Sequence, residues 1–364
     1  MALNFEHVTL GQRVRFGAGQ AAENLAAEVD RLNANNVMVI AGERTLDLAR
    51  QVAADIAVAV WHSDVVMHVP VETAEKARAV AAEYDVDLLV SVGGGSTTGL
   101  AKAVALTTGI SIVAVPTTYA GSEATDVWGL TEAGRKTTGV DARVLPETVI
   151  YDSALMLSLP VEMSVASGLN GMAHCIDSLW APKANPINAA LAAEGIRALS
   201  TGLPKIVADS QDVDGRDEAL YGAYLSAVSF ASAGSGLHHK ICHVLGGTFD
   251  LPHAQTHATV LPYVLAFNAP YASEAETRAA AAFGADTALE GLQRLRGQVD
   301  APQKLSDYGF TAEGVPHAVE IVLEKLPANN PREITAENLT TLLTAALNGD
   351  DPATVAEPAT AAAH

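Results

Sequence analysis

Cysteine is nearly absent from this sequence of 364 residues, which holds only Cys175 and Cys242. A disulfide framework is therefore not what stabilises it, and a reducing, cytoplasmic setting is expected. Basic residues are few: 22 Lys and Arg stand against 42 Asp and Glu, for a formal net charge of −20. That balance argues against nucleic acid or an anionic membrane surface as partner, since both require basic patches. No uncharged apolar run reaches the roughly 18 residues of a membrane span. The opening MALNFEHVTL lacks the basic and then apolar stretch of a secretory signal. No repeat recurs at a period of about 20–50 residues. What remains, with 49% hydrophobic and 18% charged residues, is a chain able to build a large core. The net charge has one consequence for function. An anionic substrate would need a site that is locally positive or rich in hydrogen-bond donors.

At roughly 150 residues per domain the length allows two domains, and the pattern changes near residue 158. Before it, short apolar runs alternate with helical stretches. Strands are expected at Asn36–Ala41, Ile56–Trp61, Asp87–Val92, Ser111–Val115 and Thr148–Tyr151, with Arg13–Phe16 as a small edge strand. Helices are expected at Arg44–Ala54, Val71–Tyr84 and Ser96–Thr107, and a hairpin over Gly129–Val140. This rhythm predicts an α/β dinucleotide-binding domain with a parallel, Rossmann-like sheet over residues 1–157. After Leu159-Pro160 the sequence turns Ala-rich with helical spacing. Helices are expected at Glu162–Trp180, Ile187–Val207, Arg216–Ala233, Leu237–Gly246, His257–Phe267, Glu274–Leu289, Glu313–Leu326 and Thr335–Leu347. Residues 158–350 therefore read as an all-α domain. The segment 351–364, DPATVAEPATAAAH, reads as a disordered tail.

Gly93-Gly94-Gly95-Ser96, followed by Thr97, stands between a strand and a helix. Glycine lets the backbone approach a ligand closely, and a helix N-terminus offers unpaired N–H groups and a positive dipole end. The pair makes a pyrophosphate cradle, although the spacing is neither the G-x-G-x-x-G pattern nor a Walker loop. A plain strand-to-helix turn is the competing reading. A second loop, Pro116-Thr117-Thr118-Tyr119-Ala120-Gly121-Ser122-Glu123, follows the next strand, at the sheet edge where ligands bind. Thr117, Thr118 and Ser122 offer hydroxyls to a nucleotide there. Glu43, just beyond strand 36–41, can bind the ribose hydroxyls, whereas the adjacent Arg44 can accept a 2′-phosphate. NADH is expected, with NADPH tolerated.

Histidines supply the other signal. His239 and His243 lie four apart on one helix, as do Asn170 and His174, and His253 follows from a nearby loop. Such pairs share a helix face. They can form a metal site or a neutral, donor-rich anion pocket. His7, His62, His257 and His317 read as ordinary core or surface residues. His238 points about 100° away from His239.

In this order these segments resemble the iron-containing alcohol dehydrogenase superfamily, over nearly the whole chain. The resemblance implies a dehydroquinate synthase-like fold with the active site between the domains, and Lys136 as a nucleotide contact. It also implies metal-ligand positions at Asn170, His174, His239 and His253, with His243 as a nearby non-ligand. Two departures stand out. Metal-dependent members carry Asp where this chain has Asn170 and where it has Gly99. An amide cannot offset the charge of a divalent ion. One branch, the maleylacetate reductases, shares these features. It also resembles this chain at Ser96–Leu100, Pro116–Glu123, Trp128–Glu132, Arg143–Pro146 and Asn170–His174.

What this resemblance implies is a metal-free, NAD(P)H-dependent reduction of the C=C bond of maleylacetate to 3-oxoadipate in aromatic-compound degradation. His243, Tyr119 and His253 would be catalytic. Asn170, His174 and His239 would join them in holding a small dicarboxylate. A homodimer is expected. Two rival readings stay open at this stage. One is a metal-dependent alcohol or aldehyde dehydrogenase using Fe or Zn at the four ligand positions. The other is a non-catalytic nucleotide-binding sensor.

Overall fold

The computed structural model describes residues 4–132 and 135–356, and the chain divides into two compact units. The first comprises Thr9–Pro160 and Ser210–Leu220. Its strands are β1 (Arg13–Phe16), β2 (Val37–Ile40), β3 (Val58–His62), β4 (Leu88–Gly93), β5 (Ser111–Pro116), β6 (Val127–Glu132), β7 (Arg135–Val140) and β8 (Thr148–Tyr151). Its helices are α1 (Ala21–Leu32), α2 (Leu46–Val52), α3 (Val71–Glu83) and α4 (Gly95–Thr108). Six strands form one parallel sheet in the order β1-β8-β5-β4-β2-β3, while β6 and β7 pair as an antiparallel hairpin.

Alternation along β2 explains the layers. Val37 and Val39 pack with Leu25 and Val29 of α1 and with Ala49 and Val52 of α2. Met38 and Ile40 face the other way, onto Ala74 and Ala77 of α3 and Leu100 and Val104 of α4. With both faces covered, every residue of β2 and β4 is buried, so these strands read as unbroken apolar runs rather than alternating ones. Left-handed residues end two of the helices: Asn33 at φ 51° after α1 and Gly109 at φ 71° after α4. The chain leaves β2 towards β3 and leaves β4 towards β5, on opposite sides. Strand order therefore reverses between β2 and β4, the kind of switch point at whose carboxyl ends open α/β sheets bind ligands.

The second unit holds Val161–Asp209, Tyr221 onward, and the N-terminal segment up to Val8. That segment is tied in by Asn185 Nδ2, which donates to Glu6 O at 3.4 Å, and by a 3.0 Å contact between Ser232 Oγ and His7 Nδ1. The helices are α5 (Val161–Ser178), α6 (Pro186–Ala208), α7 (Val213–Ala233, in this unit from Tyr221), α8 (Leu237–Phe249), α9 (His253–Asn268), α10 (Ser273–Phe283), α11 (Ala288–Gln298), α12 (Gly314–Glu324) and α13 (Ala336–Asn348). Ile241 and Leu245 of α8, Val260 and Val264 of α9, Val322 of α12 and Leu342 of α13 share one apolar core.

Three elements differ from the sequence expectation. The helix expected over 274–289 breaks at Gly284, which takes φ 62°, and α11 restarts at a Thr287 N-cap whose hydroxyl accepts from Glu290 N at 3.1 Å. Helix α9 begins four residues early, directly after Pro252, so His253 is helical rather than in a loop. The expected tail is ordered through residue 356. Pro352–Val355 form a 3-10 turn, Val355 is 5% exposed within the core, and its carbonyl accepts from Arg332 Nη1 at 2.8 Å. Residues 357–364 lie outside the described residues. Among the described residues no helix is long and apolar enough to cross a membrane. Truncating Val355 to Ala is expected to destabilise the fold by about 2 kcal/mol, because a packed side chain is lost. A chemical denaturation curve coincident with the parent's would contradict that placement of the segment.

Candidate active site

In the α/β unit the glycine turn joins β4 to α4, and Gly93 pairs with Pro116 across to β5. That pairing sets the Pro116–Thr118 loop beside the glycines. Steric demand distinguishes the three glycines. A Cβ on Gly93, which has φ 157°, would stand 2.9 Å from Thr97 Cβ, and one on Gly94 would stand 2.9 Å from Thr118 Cγ2. A Cβ on Gly95 would meet only Ala120 Cβ, at an ordinary 3.6 Å. Gly93 and Gly94 are thus required by packing among Thr97, Thr118 and the turn itself. Gly95 is not required, so its smallness is left for a ligand to explain. Thr97 N and Thr98 N turn back onto Gly94 O at 3.0 and 3.1 Å, which sets the amides of Gly95 and Ser96 at the helix tip.

Glu43 is exposed and opens a 3-10 turn just past β2, at the carboxyl-end side of the sheet. Thr117 is buried. Lys136 lies on β7 opposite Thr131, and its side chain lies outside the described residues. Sequence reasoning missed Lys102, about two turns into α4 and 1% exposed. Its Nζ donates to Ser122 O at 2.6 Å, Thr125 O at 2.7 Å and Val127 O at 2.9 Å. It therefore pins the loop carrying Ser122. Burial draws this ammonium down to about 7, against the pull of Glu123 and Asp126.

Tyr119, expected as a substrate contact, is wholly buried, and its hydroxyl accepts from Arg216 Nη1 at 3.3 Å. Arg216 also donates to Leu159 O and Ser210 O, each at 3.1 Å, and this is what ties 210–220 to the α/β unit. Tyr119 is a packed support of its loop.

The helical unit gathers the histidines. Asn170, His174 and Asp177 come from α5. His238, His239, Cys242 and His243 come from α8, and His253 and His257 from the first turns of α9. His174 stacks on His239 with ring centroids 5.0 Å apart, and Phe230 of α7 lies 4.8 Å from the first and 4.2 Å from the second. His243 is 6.1 Å from His239. His253 is 4.4 Å from His257, which is 5.0 Å from His239. The four predicted histidines thus share one cluster. His243 and His253 are exposed in this unit, whereas His174 and His239 are buried.

The place of His257 in the cluster was missed from sequence. His257 is fully buried inside the cluster, and His238, pointing away from His239, reaches His257 with a 2.9 Å hydrogen bond from ring to ring. A helix start at Pro252 makes His253 and His257 a third pair spaced by four, which was the available signal. Asp177 was also missed. Its Oδ2 lies 2.7 Å from His239 Nδ1 and accepts from Gly236 N at 2.8 Å. Gly236 is required here, because a Cβ would come within 2.7 Å of Asp177 Cγ. With an ionised Asp177 the proton sits on His239 Nδ1, so Nε2 presents a lone pair. His239, expected to donate to a substrate, therefore accepts in this state.

Burial dominates the electrostatics. It lowers His174 to about 4 and draws His238, His239 and His257 well below the usual imidazole range. These four rings are neutral at pH 7. Asp177 is raised by the same burial, opposed by His238 and by the Gly236 amide. Among the described residues, Asn170 Oδ1, His174 Nδ1 and His239 Nε2 are buried without a hydrogen-bond partner. Such atoms call for a ligand or water.

The resemblance-implied set of Asn170, His174, His239 and His253 offers a divalent ion only neutral ligands. Asn170 supplies a neutral amide, so no ligand offsets the ion's charge. Asp177 is committed to His239 Nδ1 and Gly236. Among the described residues, the His, Cys, Asp or Glu trio whose ligand atoms lie within 4.8 Å of one another is instead His238, Cys242 and His257. The second lost carboxylate has a steric counterpart: a Cβ on Gly99 would stand 3.0 Å from Val69 Cγ2.

A glycine turn at the switch point of a parallel sheet and a histidine cluster in a helical unit define a nucleotide-dependent oxidoreductase class. Residues 11–153 match the iron-containing alcohol dehydrogenases, and residues 164–347 match the C-terminal part of the Fe-containing alcohol dehydrogenase family. The chain belongs to the iron-containing alcohol dehydrogenase family of NAD(P)-dependent oxidoreductases. Within it, the chain is 45% identical to a maleylacetate reductase of Sphingobium indicum over 355 residues, covering 97% of this chain and 100% of that one. A crystal structure of an iron-containing alcohol dehydrogenase from Corynebacterium glutamicum is 72% identical, with a TM-score of 0.97 over 98% of this chain and 100% of that one. Maleylacetate reductase from Agrobacterium tumefaciens is 38% identical, with a TM-score of 0.92 over 96% and 99% of the two chains.

Two outcomes follow from this geometry. Gly95→Ala should fold normally, since its Cβ meets only Ala120, yet weaken NADH binding by about tenfold or more by blocking close approach of the pyrophosphate. Unchanged affinity in a fluorescence titration would remove Gly95 from the cradle. The second outcome concerns acid. Between pH 6.5 and about 4 the unfolded chain binds a proton that folded His174 refuses. Stability should therefore fall with falling pH across that window, by about 1.4 kcal/mol per pH unit from this residue alone. Melting temperatures that stay flat from pH 6.5 down to 4 would contradict the neutral, buried assignment.

Proposed function

We propose that this chain reduces the C=C bond of maleylacetate to 3-oxoadipate with NADH, tolerating NADPH, and that it does so without a metal. The reading places it in aromatic-compound degradation, as a cytoplasmic homodimer. The observation that carries it is Asn170: a neutral amide stands at the one position where a bound cation would need a carboxylate, beside neutral imidazoles with unpartnered polar atoms. The similarity to maleylacetate reductases over nearly the full length supports the substrate.

In this reading Gly93, Gly94, Gly95, Ser96 and Thr97 hold the pyrophosphate on the tip of α4. Thr117, Thr118, Ser122 and Lys136 complete the nucleotide site, and Glu43 takes the ribose hydroxyls. Bound there, NADH would supply a hydride from C4 of its nicotinamide to the alkene carbon β to the ketone. The C=C pair would then form a new double bond between the α carbon and the carbonyl carbon while the C=O pair moves onto oxygen, giving an enolate that preorganised donors stabilise. Protonation of the α carbon completes the addition of one hydride and one proton. His243 is assigned as the proton donor, because it is the exposed imidazole next to the buried pair His174 and His239. His253, at the first turn of α9, is the second exposed imidazole and serves the enolate or a carboxylate. Asn170 Nδ2 and His174 bind a substrate carboxylate. His239 joins them when the Asp177–His239 pair holds an additional proton. Tyr119 acts through the loop it supports.

The direct test is NADH consumption with fresh maleylacetate, with and without EDTA. Turnover that survives exhaustive chelation is expected. Turnover abolished by EDTA and restored by a divalent ion would overturn the metal-free claim and favour the metal-dependent dehydrogenase reading. NADH binding without any turnover would favour a sensor. Replacing His243 with Ala should lower kcat by about 100-fold or more while leaving NADH affinity intact. Parental kcat would remove His243 from the proton-donor role.

A further inference from the structure

We propose that His238, Cys242 and His257 form a binding site for a soft divalent ion of the zinc class, separate from the histidines assigned to substrate. His238 and Cys242 are four apart on α8 and so share a face. His257 reaches the same point from α9. His238 Nε2 lies 2.9 Å from His257 Nδ1 and 3.6 Å from Cys242 Sγ, and the three ligand atoms fall within 4.8 Å of one another. Around a tetrahedral zinc ion with bonds of roughly 2.0–2.3 Å, nitrogen and sulfur ligands stand about 3.3–3.6 Å apart, so the two imidazoles need part by only a few tenths of an ångström to admit the ion. Two imidazoles and a thiolate also match the softness of such an ion, leaving one coordination position for water.

Charge balance supports the site. The thiol is protonated in the ion-free state, because burial pushes it well above the usual range. An ion would displace that proton, while the proton shared between the two imidazoles would move to the far nitrogen of the ring that carries it, so both rings ligate as neutral imidazoles. One thiolate and the buried Asp177 carboxylate, which acts electrostatically on both His238 and Cys242, then offset both charges of the ion. The substrate set lacks this compensation. It has no thiolate, and Asn170 is neutral. Any divalent ion entering the helical unit therefore has a better-matched site one helix face away from His239. Occupancy there would fix His257 and the first turn of α9, which also carries His253.

Cobalt titration of the full-length protein tests this without relying on activity. A Co²⁺–thiolate charge-transfer band in the near ultraviolet is expected in the parent protein. The band should be lost in Cys242→Ser, lost or shifted in His257→Gln, and retained in Cys175→Ser and His174→Ala. Zinc should bleach it competitively. The proposal is overturned if the parent shows no such band, if Cys242→Ser keeps it, or if His174→Ala abolishes it. Circular dichroism of Cys242→Ser confirms folding, and because the change is nearly isosteric, a folded variant that keeps the band is decisive. A loss of turnover on EDTA bears on the metal-free reading of the substrate site and leaves the cobalt result untouched.

Discussion

Asp177 Oδ2 sits 2.7 Å from His239 Nδ1 and accepts from the Gly236 amide at 2.8 Å, with the carboxylate wholly buried. An unpaired buried charge would be prohibitive, so the surrounding chain is arranged to meet it. Gly236 must lack a side chain to let the carboxylate in. Helix α8 begins there, which brings its N-terminal amides toward the charge. The ring of His239 is held in one orientation and one tautomer. His174 then stacks on that ring, with Phe230 closing against both. This interaction between α5 and α8 fixes the His174–His239 part of the cluster, and the His238–His257 hydrogen bond joins α9 to it.

The same burial sets the chemistry. Rings kept neutral by desolvation form a site of uncharged hydrogen-bonding groups. Asn170 and Gly99 are neutral where the resemblance implies Asp in metal-dependent members, and Val69 occupies the space beside Gly99. On the proposed reading, a protein of net charge −20 would hold a dicarboxylate through the amide and imidazole N–H groups of this cluster. The nucleotide side rests on a different constraint. Gly93 and Gly94 are small because Thr97 and Thr118 occupy the adjacent space, and Lys102 locks the following loop through three carbonyls.

Legibility from sequence followed physical cause. Fully buried strands such as VMVI and LLVSV declared themselves as continuous apolar runs, and the glycine turn was visible because three successive glycines exceed what a bend requires. The pairs Asn170/His174 and His239/His243 were visible through helical spacing. Other features depend on contacts between distant residues and were not legible. Tyr119 looked available until Arg216, 97 positions away, took its hydroxyl. Asp177 was one acidic residue among many until its helix was set against α8. His257 was dismissed because α9 was started four residues late, which hid its spacing from His253. Gly284 was absorbed into an Ala-rich helix, since composition alone does not show where φ turns positive.

Placing a carboxylate at residue 170 tests the central claim most directly, namely that neutrality at this position serves an anionic substrate. Asn170→Asp is close to isosteric, so folding and NADH affinity should be preserved. The account predicts that KM for maleylacetate rises by about tenfold or more through like-charge repulsion, with no rescue by zinc or iron. An unchanged KM, or turnover that becomes stronger on adding a divalent ion, would contradict it.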